Sequence, residues 1–175
     1  MHARSLLAAA AAATAGLGAT LLTFAPAAGA HPADSAARAA TCKEASLRVA
    51  ASASDEAGVL RVSVTNRGPA CVVDRIPTIT FGDLDGAAQP VPPGESAPYR
   101  LATGRTAYAA VRTVDDPGNP QARVVDFVTV AGDPSHAGRS FTADALGLPD
   151  GVRVWEPVTT WWKPTRAQAD AALPS

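Results

Sequence analysis

Apolar and polar positions alternate along much of this chain with a period of two. Leu60, Val62 and Val64 are apolar, and Arg61, Ser63 and Thr65 stand between them. That alternation places one side of an extended segment in a core and the other in water, so it predicts a strand. Leu47, Val49 and Ala51 alternate with Arg48 and Ala50 and predict the strand before it, with residues 54–58 as the hairpin loop. Asn66-Arg67-Gly68-Pro69 ends the second strand. Asn and Gly tolerate φ > 0, and Pro69 has no N–H to continue a ladder. Residues 71–73 resume the extended pattern and 76–81 continue it. Pro77 within that run predicts a bulge or a switch between sheets. Residues 82–86, Gly-Asp-Leu-Asp-Gly, form a turn by composition.

The second half is read the same way. Residues 87–98 hold Pro90, Pro92, Pro93, Gly94 and Pro98, which predicts a loop or edge connection rather than a helix. A short strand follows at 99–103 and a longer one at 106–114. Asp115-Asp116-Pro117-Gly118-Asn119-Pro120 is the strongest loop signal in the chain. Residues 124–130 are too apolar for an edge and predict a central strand. Residues 142–146 fit one helical turn, and 152–162 supply the last strand or strands, interrupted at Pro157. The Ala-rich segment 165–175 is expected to be a flexible C-terminal tail, a frayed helix or disorder. Roughly seven to nine short strands, with turns about every eight to twelve residues, argue for an all-β, antiparallel β-sandwich. No apolar pattern of period 3.6 runs for about ten residues after the N-terminal segment, which argues against an α/β fold.

The N-terminus changes the picture of compartment. Arg4 precedes an apolar or small-residue run at 6–22, Pro26 breaks it, and Ala28-Gly29-Ala30 fits an A-x-A cleavage site. Residues 1–30 are therefore expected to be a signal peptide, 31–40 a flexible leader, and 41–164 the sandwich domain of a secreted protein. A retained anchor is the other reading, since no charge falls between Arg4 and Asp34; the run is mostly Ala, which is weakly hydrophobic. No second apolar stretch approaches the ~20 residues that span a bilayer. The formal charge is −1, so there is no basic excess to suggest a nucleic-acid footprint. Thirteen of the fifteen cations are Arg, which reads as coding bias in a GC-rich genome rather than a binding feature. Cys42 and Cys71 are the only cysteines, and on an exported chain they read as one disulfide. A zinc site wants four ligands, and His136 is the one histidine within the domain.

Several of these features together resemble a known family. Cys42 precedes the Leu47 strand; Val62-Ser63-Val64-Thr65-Asn66-Arg67-Gly68 leads to Cys71; Ile76-Pro77 and the Asp85-Gly86 turn follow. Pro92-Pro93-Gly94-Glu95-Ser96-Ala97 and Gly104-Arg105-Thr106-Ala107-Tyr108-Ala109 add to the pattern. The stretch from about Thr41 to Pro164 resembles the secreted bacterial domain of unknown function 4232. The resemblance implies an immunoglobulin-like sandwich in an exported protein, with no established activity, and it transfers no catalytic residue. Asp74-Arg75-Ile76 stands where members often carry a Gly, and the further cysteines of some members are absent.

Candidate chemistry is sparse. There is no G-x-S-x-G, and His136 lies in a polar loop, where it is expected to be solvated. Asp83 and Asp85 form a fragment of a calcium loop without its remaining ligands; Asp115 and Asp116 would add oxygens only if the two loops meet. A plain hairpin turn is the favoured reading, and no cofactor is expected. Trp155, Trp161 and Trp162 form the one aromatic cluster. In a strand Trp161 and Trp162 point to opposite faces, so at most one belongs to the core. Core and edge packing of the last strand is the favoured reading, in which the other indole is exposed or covers an edge; the sharper reading is an exposed patch of Trp155, Trp161 and Trp162 that meets a glycan, a cell-wall polymer or an extracellular protein. The expectation is a noncatalytic extracellular binding or interaction module; the alternative is a hydrolase acting on cell-wall or exported polymers.

Overall fold

The computed structural model describes residues 39–174. The expected signal peptide and most of the 31–40 leader lie outside the described residues. Ala40, the end of that leader, is already fixed: its carbonyl accepts from the Val72 N–H at 3.0 Å.

The first hairpin follows the alternation. β1 (Leu47–Ala53) pairs antiparallel with β2 (Val59–Asn66), with Leu47 opposite Asn66 and Ala53 opposite Leu60. β2 continues onto β7 (Thr106–Arg112), then β12 (Val158–Thr160) and β5 (Gln89–Val91), giving a five-stranded sheet in the order β1-β2-β7-β12-β5. β12 and β5 run parallel, the exception among the paired strands. Pro90 lacks an N–H and suits β5 to the sheet edge.

A second sheet has the order β10-β9-β4, from β4 (Thr78–Phe81), β9 (Phe127–Ala131) and β10 (Arg139–Thr142). Two ribbons complete the strands: β3 (Cys71–Asp74) with β6 (Pro98–Leu101), and β8 (Arg123–Val125) with β11 (Val152–Val154). Val62, Val64, Ala107 and Ala109 of the first sheet join Ile79, Phe81, Val128 and Val130 of the second in one buried cluster. They stand at alternate positions, as a shared core between two sheets requires.

Sheet switches explain two of the sequence features. At Pro77 the chain leaves the β3–β6 ribbon for the second sheet. The run 124–130 is two strands and not one: exposed Asp126 divides β8 from β9, and its carbonyl accepts from the Ala143 N–H at 2.7 Å. β9 is central, as its apolar character predicts.

The corner after β2 is held from both sides. Cys42 and Cys71 are disulfide-bonded, with Cα atoms 4.9 Å apart and 29 residues closed between them. A loop of that length corresponds to roughly 3–4 kcal/mol of chain entropy, on a mechanism that is model-dependent. Asn66 is fully buried; its side-chain amide donates to Pro69 O at 2.7 Å and Leu101 O at 2.9 Å, and its Oδ1 accepts from the Gly68 N–H at 2.8 Å. Gly68 is not in the left-handed region that the turn composition suggested. It is small because a Cβ there would lie 2.9 Å from the Ser46 Cβ and Oγ.

Two helices close the structure. The expected helical turn is α1 (Ala143–Leu146), capped by the Thr142 hydroxyl and ended by Gly147 at φ 86°. The tail is corrected. Residues Arg166–Ala172 form α2, with Thr165 as its N-cap, and it packs on β7. Ala169 is 1% exposed, and Asp170 accepts from Arg61 Nε at 3.2 Å on both oxygens. Small Ala side chains let the helix lie close to the sheet, so it docks with little apolar bulk of its own.

Candidate functional site

The three tryptophans occupy three different environments. Trp162 is 3% exposed and belongs to the core, so it is no part of a surface patch. Trp161 faces the other way, as alternation requires, and is half-buried, with Arg75 and Gly94 over part of its ring. The Arg75 guanidinium lies 4.0 Å from the centroid of its ring, and a Cβ at Gly94 would sit 2.6 Å from its Cζ2. Arg75 is held there by donating from Nε to Glu95 O at 2.7 Å. The contiguous exposed patch of Trp155, Trp161 and Trp162 is therefore corrected: Trp162 is buried in the core, Trp161 lies against Arg75 and Gly94, and Trp155 borders a cleft.

That cleft is built where β11 gives way to β12. Trp155 is half-buried and anchored by its backbone N–H, which donates to Thr113 O at 2.8 Å. It walls a cavity of about 280 Å³ together with Leu84, Asp85, Arg123, Glu156 and Pro157. Glu156 holds φ at 46°, the sole non-glycine residue with positive φ among the described residues. Such a conformation costs on the order of 1–3 kcal/mol, and it sits immediately before a proline. The strain turns the chain so that β11 and β12 can join different sheets with the indole left at the opening. An aromatic face, two carboxylates and one guanidinium thus border a single opening. The apolar face stacks on flat C–H surfaces, the carboxylates accept from hydroxyls, and the guanidinium donates.

Among the described residues no group of three or more metal-ligating side chains converges. Asp115 pairs with Arg112 at 3.3 Å, and Asp116 accepts from the Gly118 N–H at 2.7 Å within its own turn. Asp83 and Asp85 are exposed in the 82–86 turn, and it is the Trp155 cleft that Asp85 borders.

His136 is not a solvated loop histidine. Its ring Nε2 hydrogen-bonds to Cys42 O at 2.9 Å, which ties the loop after β9 to the disulfide. In the same loop Asp133 accepts from the Ser135 N–H and hydroxyl and from the Asp74 N–H. Burial by itself would raise the Asp133 carboxyl, but these hydrogen bonds and nearby His136 hold it below its ordinary value. Ser135 donates its hydroxyl to Asp133 and His136 bonds to Cys42 O, so both brace this loop.

The profile of the family described as Domain of unknown function (DUF4232) matches residues 42–162. The chain belongs to that family. No curated protein and no solved structure matches it. The DUF4232 match opens at Cys42 and closes at Trp162, so it takes in the disulfide, the Asn66 corner and the whole Trp155 cleft. Helix α2 lies beyond it. Sequence reasoning singled out Trp155 and Asp85 separately; it missed Arg123 and Glu156, whose only signal was a charge beside a proline-broken strand.

Proposed function

We propose that this DUF4232 domain is a secreted, noncatalytic binding module whose ligand surface is the Trp155 cleft and whose ligand is a glycan or cell-wall polymer. The observation that carries this reading is the half-open Trp155 indole bordered by Asp85, Arg123 and Glu156. A sugar ring offers a C–H face to the indole and hydroxyls to the charged rim. The cavity, about 280 Å³, lies near the lower end of small-molecule sites and suits a short stretch of a longer chain. The disulfide and the A-x-A pattern before His31 support export.

The test is binding to purified cell-wall glycan fractions. Trp155→Ala should lose about tenfold or more in affinity, whereas Trp161→Phe, under its Arg75 cover, should bind as the wild type does. Unchanged binding by Trp155→Ala would remove the cleft as the ligand surface. One observation favours a second reading, hydrolysis: Asp85 and Glu156 border the same cleft. That reading requires turnover of the bound polymer which Asp85→Asn or Glu156→Gln abolishes; the binding reading predicts none to abolish.

A further inference from the structure

A second opening lies where the edges of the two sheets come together. β1 is an edge of the five-stranded sheet and β10 an edge of the three-stranded one. Between them is a cleft of about 500 Å³. Arg48 borders it from β1, Arg67 from the turn after β2, and Arg139 from the start of β10. All three are exposed, and none has a carboxylate partner among the described residues. The one acid at the opening, Glu44, is spent on backbone: its oxygens accept from the Ala137 N–H at 3.3 Å and the Gly138 N–H at 2.7 Å. The floor includes Leu47 and Val49.

The walls are braced before any ligand arrives. The Arg67 N–H donates to Ser46 O at 2.8 Å, which fixes the turn against the start of β1. His136 and Glu44 tie the 136–138 loop to the segment that Cys42 anchors. The Arg139 guanidinium lies 5.0 Å from the centroid of the Phe141 ring. Charged residues on edge strands also discourage strand addition. Edge protection accounts for Arg48 and Arg139 one at a time; it does not place Arg67, on a turn, at the same opening.

We infer that this cleft binds a polyanionic surface polymer, its phosphate or carboxylate groups held by Arg48, Arg67 and Arg139. A guanidinium forks onto two oxygens of such a group, which a lysine ammonium does not do. Three guanidiniums from three separate elements ask for more than one oxyanion on the ligand. The apolar floor suits the carbon chain between them. On a protein of net charge −1 this is a local gathering of cations. The site is separate from the Trp155 cleft and stands whether or not that cleft takes a glycan.

The experiment measures binding of the full chain to inorganic polyphosphate, to polygalacturonate and to vesicles of anionic phospholipid. The expected result is binding to at least one soluble polymer, which weakens as salt rises. It should fall about tenfold for each of Arg48→Gln, Arg67→Gln and Arg139→Gln, and further in the cleft triple that combines them. A control with the same charge change away from the cleft, Arg100, Lys163 and Arg166 all to Gln, should keep the binding, and so should Trp155→Ala. Which polymer binds tells phosphate from carboxylate. The inference is overturned if the wild type binds neither polymer, if it binds the vesicles alone, or if the control triple loses as much as the cleft triple. Near-unchanged melting of each variant assigns the losses to the site; an unfolded triple variant leaves the single substitutions to decide.

Discussion

The corner around Asn66 and the connection around Glu156 both turn the chain between elements, and they do so in opposite ways. At Asn66 every side-chain polar atom has a partner, the residue is fully buried, and a disulfide stands beside it. At Glu156 the backbone is strained, the side chain is exposed, and an indole next to it faces an open cleft. The first arrangement stabilises the fold. The second costs stability, and such a cost persists where function needs the geometry. The contrast teaches where to look in a domain of this family: away from its most ordered corner, toward the turn that departs from ordinary backbone.

The contrast can be broken most sharply at Asn66. Asn66→Ala leaves two carbonyls and one N–H without their buried partner, and it should cost roughly 3 kcal/mol. Urea denaturation would read this as a lower midpoint at unchanged slope. A cost below about 0.5 kcal/mol would mean the corner is not what holds the fold. A smaller effect of opposite sign is expected at the other turn. Glu156→Gly relieves the positive φ and should stabilise by about 1 kcal/mol. The same change should weaken glycan binding, because it removes a rim carboxylate and loosens the support of Trp155. Destabilisation by Glu156→Gly would show that the strained conformation is not a cost.

How much was legible in the sequence follows from the range of the interactions. The β1–β2 hairpin was readable because alternation is local, and so were the sheet switch at Pro77 and the helical turn closed by Gly147. Asp126 was passed over within an apolar run, because a single charged residue in seven does not break a pattern although it can end a strand. Helix α2 was read as a frayed tail, since Ala carries no amphipathic signal and the Arg61–Asp170 pair joins residues far apart in the chain. The clefts were the least legible. Arg48, Arg67 and Arg139 looked like compositional bias until the two sheet edges met, and the fate of the tryptophans rested on Arg75 and Gly94, which no spacing rule connects to Trp161.

The central claim is that Trp155 is the open indole and the one that meets ligand. Acrylamide quenching of tryptophan emission tests it most directly, because Trp162 lies in the core and half-buried Trp161 has Arg75 and Gly94 against its ring. The account predicts that Trp155→Phe removes more of the quenchable emission than Trp161→Phe does, and that a bound cell-wall glycan fraction protects the wild type to the degree that Trp155→Phe does. Quenching that falls no more in Trp155→Phe than in Trp161→Phe, or that no bound glycan fraction reduces in the wild type, would contradict it.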